Sequence, residues 1–197
     1  RYHYAEYTHG IPETYPLDFH SPYGCSKAAG DQYMLDYARI YGLKTMVFRQ
    51  SCIYGQRQFG VEDQGWVAHF VIATVKNRPI TIYGDGKQVR DLLHVNDLIR
   101  AYELGVQQIA AHRGEVYNVG GGPENTLSIW TEFGPLLADL AGREPAVNRA
   151  GWRPGDQRVF VADVRKVSDQ LGWQPTTSPQ EGIQDLFTWV SRNPALF

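Results

Sequence analysis

The segment that most constrains the fold opens at Ser21-Pro22-Tyr23-Gly24-Cys25-Ser26-Lys27. Ser21 is a good N-cap, and Pro22 suits the first helical position, where no backbone N–H is needed. Gly42 supplies a stop. Between them Ala28, Ala29, Tyr33, Met34, Tyr37, Ala38 and Tyr41 recur at helical spacing, which predicts a helix of roughly twenty residues with that stripe against a core. Leu43 to Arg49 then reads as a buried strand. Helix, glycine turn and strand in that order are half of an α/β crossover.

The rest of the chain continues the alternation. Residues 64–76 fit a helix with Trp66, Val67, Phe70, Val71 and Val75 inward; 80–83 form a short strand; Gly84-Asp85-Gly86 is a turn; 89–95 is another strand. Asn96 or Asp97 is the expected cap of a helix running toward Gln107, and 115–119 is a strand. Gly120-Gly121-Gly122-Pro123 lacks the Gly-x-Gly-x-x-Gly spacing of a dinucleotide loop, and Pro123 has no N–H to offer, so a turn is expected there. Leu127, Ile129, Phe133, Leu136, Leu137 and Leu140 predict one helix ending at Gly142. A polar loop over 152–158 leads to an extended piece at 159–162, a helix capped by Asp163, and a last helix from Ser178-Pro179, with order ending at Pro194. The first twenty residues read as loop, because Pro12 and Pro16 argue against a central strand.

Tyr23 and Lys27, four residues apart, leave one face of the predicted helix a turn from each other. A free phenol titrates near about 10. A unit positive charge ~4 Å away at an effective dielectric of ~20 is worth about 4 kcal/mol, enough to bring a tyrosinate within reach of neutral pH. Tyr-x-x-x-Lys is also a pattern that chance supplies in a chain with 12 tyrosines. The polar stretch Arg49 to Phe59 follows the carboxyl end of a strand, where open α/β sheets bind ligands, though it can equally be a solvated loop. Arg49, Arg57, Arg90, Arg153 and Arg158 lie in loops or at strand ends without an obvious acidic partner. Converging, they would suit a diphosphate; otherwise each serves a surface salt bridge.

Composition excludes several classes. The net charge of −2 leaves no basic footprint for nucleic acid. No apolar run approaches a membrane span and no signal peptide opens the sequence. Cys25 and Cys52 make no disulfide framework, which predicts a reducing cytoplasm, and no metal-ligand cluster is expected.

Taken together, six segments resemble the extended short-chain dehydrogenase/reductases, the NAD-dependent nucleotide-sugar epimerases and dehydratases. They are Tyr23 to Lys27, Arg49 to Gly55, Ile82 to Asp91, Tyr117-Asn118-Val119-Gly120-Gly121, Arg153-Pro154-Gly155-Asp156, and Leu171-Gly172-Trp173-Gln174-Pro175, in family order over nearly the whole chain. The segments Leu17 to Lys27, Arg57-Gln58-Phe59, Asp63 to Val67 and Asp156 to Asp163 are most similar to the branch acting at C2 of CDP-linked deoxyhexoses.

The resemblance implies an α/β fold, the carboxyl-terminal part of a Rossmann-like fold whose amino-terminal dinucleotide-binding half is absent. Residues 1–60 would close the Rossmann-like domain, and 61–197 would be mostly substrate-binding region. It implies hydride transfer to NAD⁺ with Tyr23 as base. Lys27 would hold the nicotinamide ribose and favour ionised Tyr23, and Arg49, Gln50 and Ser51 would border the nicotinamide. Arg90 and Arg153 would hold the substrate diphosphate, Ile80 and Tyr83 would border the nucleoside, and Asn125, Asp156 and Arg158 would complete the substrate site. A 4,6-dehydratase or 4-epimerase half, or a non-catalytic nucleotide-sugar-binding module, are the other classes left open. Without the glycine-rich turn the piece is expected to be inactive alone. With its first strand unpaired on one edge, it is expected to associate as a homo-oligomer or to be poorly soluble.

Overall fold

The computed structural model describes residues 6–197, so the loop expected over 1–5 lies outside the described residues. Ser21 and Gly42 bracket helix α1 (Pro22–Tyr41): the Ser21 hydroxyl accepts from the Gly24 amide, and Gly42 takes a left-handed φ of 68° that a side chain would strain. The apolar stripe of α1 does not behave as expected. Only Ala38 is buried, whereas Tyr33, Met34, Tyr37 and Tyr41 are exposed. The periodicity is real, but no element among the described residues covers that face.

Strand β1 (Met46–Gln50) follows and pairs in parallel with β5 (Glu115–Val119), Met46 opposite Glu115 and Gln50 opposite Val119. Its other edge meets no strand among the described residues, as the sequence led us to expect. A second sheet is built around β4 (Val89–His94). It pairs in parallel with β2 (Cys52–Tyr54) and β8 (Val159–Phe160), and antiparallel with β6 (Thr126–Ser128). A third sheet joins β3 (Ile80–Tyr83) in parallel to β7 (Val147–Ala150).

Helices α2 (Trp66–Val75), α4 (Phe133–Ala141) and α6 (Pro179–Arg192) enclose the larger core with Tyr54, Val67, Val71, Ile80, Ile82, Leu92, Leu137, Ile183 and Leu186. A smaller core of Leu93, Tyr117, Val119, Val167, Leu171 and Trp173 lies where α3 (Val95–Gln108) and α5 (Arg165–Leu171) meet β5. Ser178 and Glu181 close the capping box that starts α6.

Three local expectations need correction. His94, not Asn96 or Asp97, caps α3, through its Nδ1 and the Asn96 amide. Asp97 is instead buried and accepts from the amides of Thr176 and Thr177. The single helix expected over Leu127 to Leu140 is a strand, β6, followed by α4, because Leu127 pairs opposite Arg90. Order also continues past Pro194: residues 194–196 form a 3₁₀ turn, and the Phe197 ring packs on Trp189 and Phe59.

Candidate active site

A cavity of about 890 Å³ runs along the free edge of β1. The amino-terminal half of α1 forms one wall with Tyr23, Lys27 and Asp31. The β1–β2 segment from Met46 to Ile53 forms the floor, and Gln58 with Gln64, Gly65 and Trp66 closes the far side. Tyr23 and Lys27 therefore do face one cleft. The Tyr23 side chain is 67% exposed, and neither residue's side chain makes a hydrogen bond or ion pair among the described residues, so both polar ends are open to a ligand.

Of the other residues expected at this end, Gln50 and Ser51 line the cleft floor. The Gln50 amide donates to the Tyr102 hydroxyl from α3. The Ser51 hydroxyl contacts both the main-chain oxygen of Asp91, at 2.9 Å, and its carboxylate. Arg49 also lines the cleft, but it is not free: Nε donates to the Asp31 carboxylate at 2.7 Å, and a terminal nitrogen donates to the Glu13 carbonyl at 3.1 Å.

The expected substrate residues sit elsewhere. Arg90 donates to the carboxylate of Asp156 and to the Gln157 carbonyl, and Gln88 bridges Asp156 to the Tyr83 carbonyl. Arg153 lies 3.8 Å over the Tyr83 ring and pairs with Glu62 and Asp63. Arg158 lies over the Trp152 ring at 5.0 Å. Arg49, Arg90 and Arg153 thus take the salt-bridge reading, each with an acidic partner. Each acid is far away in sequence, so local spacing could not reveal it. Ile80 is fully buried in the larger core and lines no surface, while Asn125 turns its amide onto the Gly121 carbonyl. The Arg90–Arg153 network and the Tyr23 cleft meet at residues 62–66: Glu62 accepts from the Tyr83 hydroxyl, and Gln64 to Trp66 line the cleft.

The glycine run is a turn, and the structure gives its reason. Asp91 is fully buried, its carboxylate accepts from the Gly122 amide at 3.1 Å, and a Cβ on Gly120 would fall on that carboxylate. The run cradles an internal acid rather than a phosphate. Burial pushes the Asp91 carboxyl up from 3.8 to about 6, with hydrogen bonds from Ser51 and Gly122 pulling the other way. Because the folded value lies above the unfolded one, Asp91 contributes its stability fully below about pH 3.8 and loses it as pH rises through about 6. Asp91→Asn removes that slope. Measured by urea unfolding at pH 4.5 and 7.5, wild type is expected to lose roughly 2 kcal/mol relative to the variant between the two. Equal slopes would refute the assignment. Cys52 also lines the cleft floor, and burial pushes its thiol up, away from the reactive thiolate.

A Tyr-x-x-x-Lys helix lies beside a parallel-paired strand in an α/β fold, its two polar ends open in a cleft at the strand edge. The chain belongs to the NAD dependent epimerase/dehydratase family, which it matches over residues 3–120. It is 46% identical over 97% of its length to the CDP-paratose 2-epimerase of Salmonella typhi, covering 58% of that protein. It is 36% identical over 98% of its length to the dTDP-glucose 4,6-dehydratase of Streptomyces antibioticus, covering 56% of it. Among solved structures, the UDP-glucose 4-epimerase of Thermotoga maritima with UDP-glucose superposes with a TM-score of 0.83 at 32% identity, over 94% of this chain and 58% of that one. The chain thus spans less than two thirds of the length of these relatives.

The residues present fit part of NAD. Lys27 offers a free ammonium, Tyr23 a free phenol, and the cleft is roomy enough for a nicotinamide riboside. For the pyrophosphate there is no cradle in the glycine run, whose Gly122 amide is committed to Asp91.

Proposed function

We propose that these residues belong to an epimerase that inverts C2 of a CDP-linked deoxyhexose. The observation that carries the reading is the joint exposure of Tyr23 and Lys27 in one cleft, in a chain 46% identical to a CDP-paratose 2-epimerase. NAD⁺, held at its nicotinamide end by Lys27 and Tyr23, would supply the hydride exchange at C2. Tyr23 withdraws the C2 hydroxyl proton as the carbonyl forms and returns it as the carbonyl is reduced. Lys27, a turn along the helix, favours the ionised phenol by its charge and binds ribose hydroxyls as a donor. Gln50 and Ser51 border the nicotinamide from the cleft floor.

The nucleotide lies toward Tyr83. There Arg153, held by stacking and by exposed acids, exchanges weak solvent-screened pairs for the diphosphate. Arg90 is more firmly held by Asp156, and Arg158 and Asn125 complete that side. Residues 1–60 belong to the cofactor side and 61–197 mostly to the substrate side. On its own, this stretch presents an open β1 edge that favours association of more than one copy.

The test is direct. The full-length protein, incubated with NAD⁺ and CDP-paratose and followed by NMR, is expected to give the C2 epimer. Inversion at C4 of UDP-glucose, or loss of water from dTDP-glucose, without any C2 product would replace this reading with that of a 4-epimerase or a dehydratase. Binding of CDP without NAD⁺ binding or turnover would leave a non-catalytic binding module.

A further inference from the structure

Tyr23, Lys27 and Asp31 stand at four-residue intervals on one face of α1, and all three line the same cleft. Asp31 is therefore the neighbour that would ordinarily pair with the Lys27 ammonium across one turn. It does not. Its Oδ2 accepts from Arg49 Nε at 2.7 Å, its Oδ1 accepts from Gln32, and Lys27 has no partner among the described residues. The Arg49–Asp31 pair is largely sheltered, its side chains 22% and 10% exposed, so solvent screens it little. Arg49 also grips the Glu13 carbonyl, so that one guanidinium ties the helix, strand β1 and the preceding loop. Among the described residues α1 buries only Ala38, and the other tie to the strand that follows it is Thr45 donating to the Met34 carbonyl.

We propose that Arg49 is a positioning residue that holds the Asp31 carboxylate away from Lys27, leaving the ammonium available to Tyr23. This rests on the reading of Tyr23 as the base. Released, Asp31 would pair with Lys27 and take the ammonium away from Tyr23. The other titratable groups in the cleft are Tyr102, whose hydroxyl accepts from Gln50, and the half-buried Cys52. Asp18 and His20, in the loop before α1, pair with each other.

The test is the pH profile of kcat for the full-length holoenzyme with CDP-paratose. Arg49→Met is expected to move the acid limb up by about one pH unit, with turnover below the limb down about tenfold. The double variant Arg49→Met/Asp31→Asn, which removes the competitor as well, is expected to bring the limb back to the wild-type position. A merely structural arginine would give no such return. An unmoved limb in the single variant, or an unrestored one in the double variant, overturns the proposal. Should Arg49→Met fold poorly, Arg49→Lys keeps a cation beside Asp31, and its limb must stay at the wild-type position. If Tyr23→Phe leaves turnover intact, the base reading itself is lost. If Tyr23→Phe abolishes turnover and Arg49→Met leaves the limb unmoved, only the role of Arg49 is lost.

Discussion

Replacing Tyr23 with Phe is expected to lower kcat of the full-length protein by roughly 10²–10⁴-fold, the usual range for removing a general base. The substitution deletes one oxygen and nothing else. Among the described residues that side chain is 67% exposed and has no hydrogen-bond partner, so within this stretch its removal leaves no buried group unsatisfied. Unfolding free energy should therefore stay within about 0.5 kcal/mol of wild type. Loss of turnover with unchanged stability separates a chemical role from a packing one. Tyr37→Phe is the matched control: it is a tyrosine of the same helix, 46% exposed, whose ring leans on Tyr41. It is expected to leave turnover unchanged. Activity of Tyr23→Phe within threefold of wild type would move the base to another group and empty the Tyr23–Lys27 pair of meaning.

Part of this architecture was legible because its determinants are local. Ser21, Pro22 and Gly42 bound α1 through backbone chemistry that needs no tertiary partner, and Ser178 with Glu181 does the same for α6. The β3 strand and its Gly84–Gly86 turn were readable for the same reason. The Tyr23–Lys27 pair was legible because helical spacing alone places both on one face.

What was not legible depends on partners distant in sequence. Leu127 reads as helical by periodicity but is claimed by Arg90 across a sheet. Strand β7 had no clear pattern of its own and exists because β3 offers an edge. Arg90 and Asp156 are 66 residues apart, so no spacing rule links them. Asp31 could have been noticed, since it continues the Tyr23–Lys27 interval, yet only the fold shows that Arg49 claims it. The stripe on α1 misled for a different reason: periodicity reports that a face is apolar, not what covers it.

The largest stability effect is expected at Trp173. Trp173→Ala should cost about 3–5 kcal/mol by urea unfolding, the range for removing a buried aromatic. The side chain is 1% exposed and packs with Leu93, Tyr117, Val119 and Leu171 in the smaller core. Its indole N–H donates to the Asp97 carbonyl at 2.8 Å, so the truncation also strips an internal hydrogen bond from the first turn of α3. Asp97 in turn holds Thr176 and Thr177 just ahead of α6, so the damage reaches both sides of the sheet. The same core underlies β1 and β5, on whose ends Gln50 and Ser51 present the cleft floor. Weaker cofactor binding should therefore accompany the lost stability, unlike the clean separation expected at Tyr23. Trp152→Ala gives the contrast. That ring is 42% exposed and leans on Gly84 and Arg158, outside either core, and its removal should cost about 1 kcal/mol or less. Comparable losses at Trp173 and Trp152 would mean that the smaller core does not carry the β1–β5 platform.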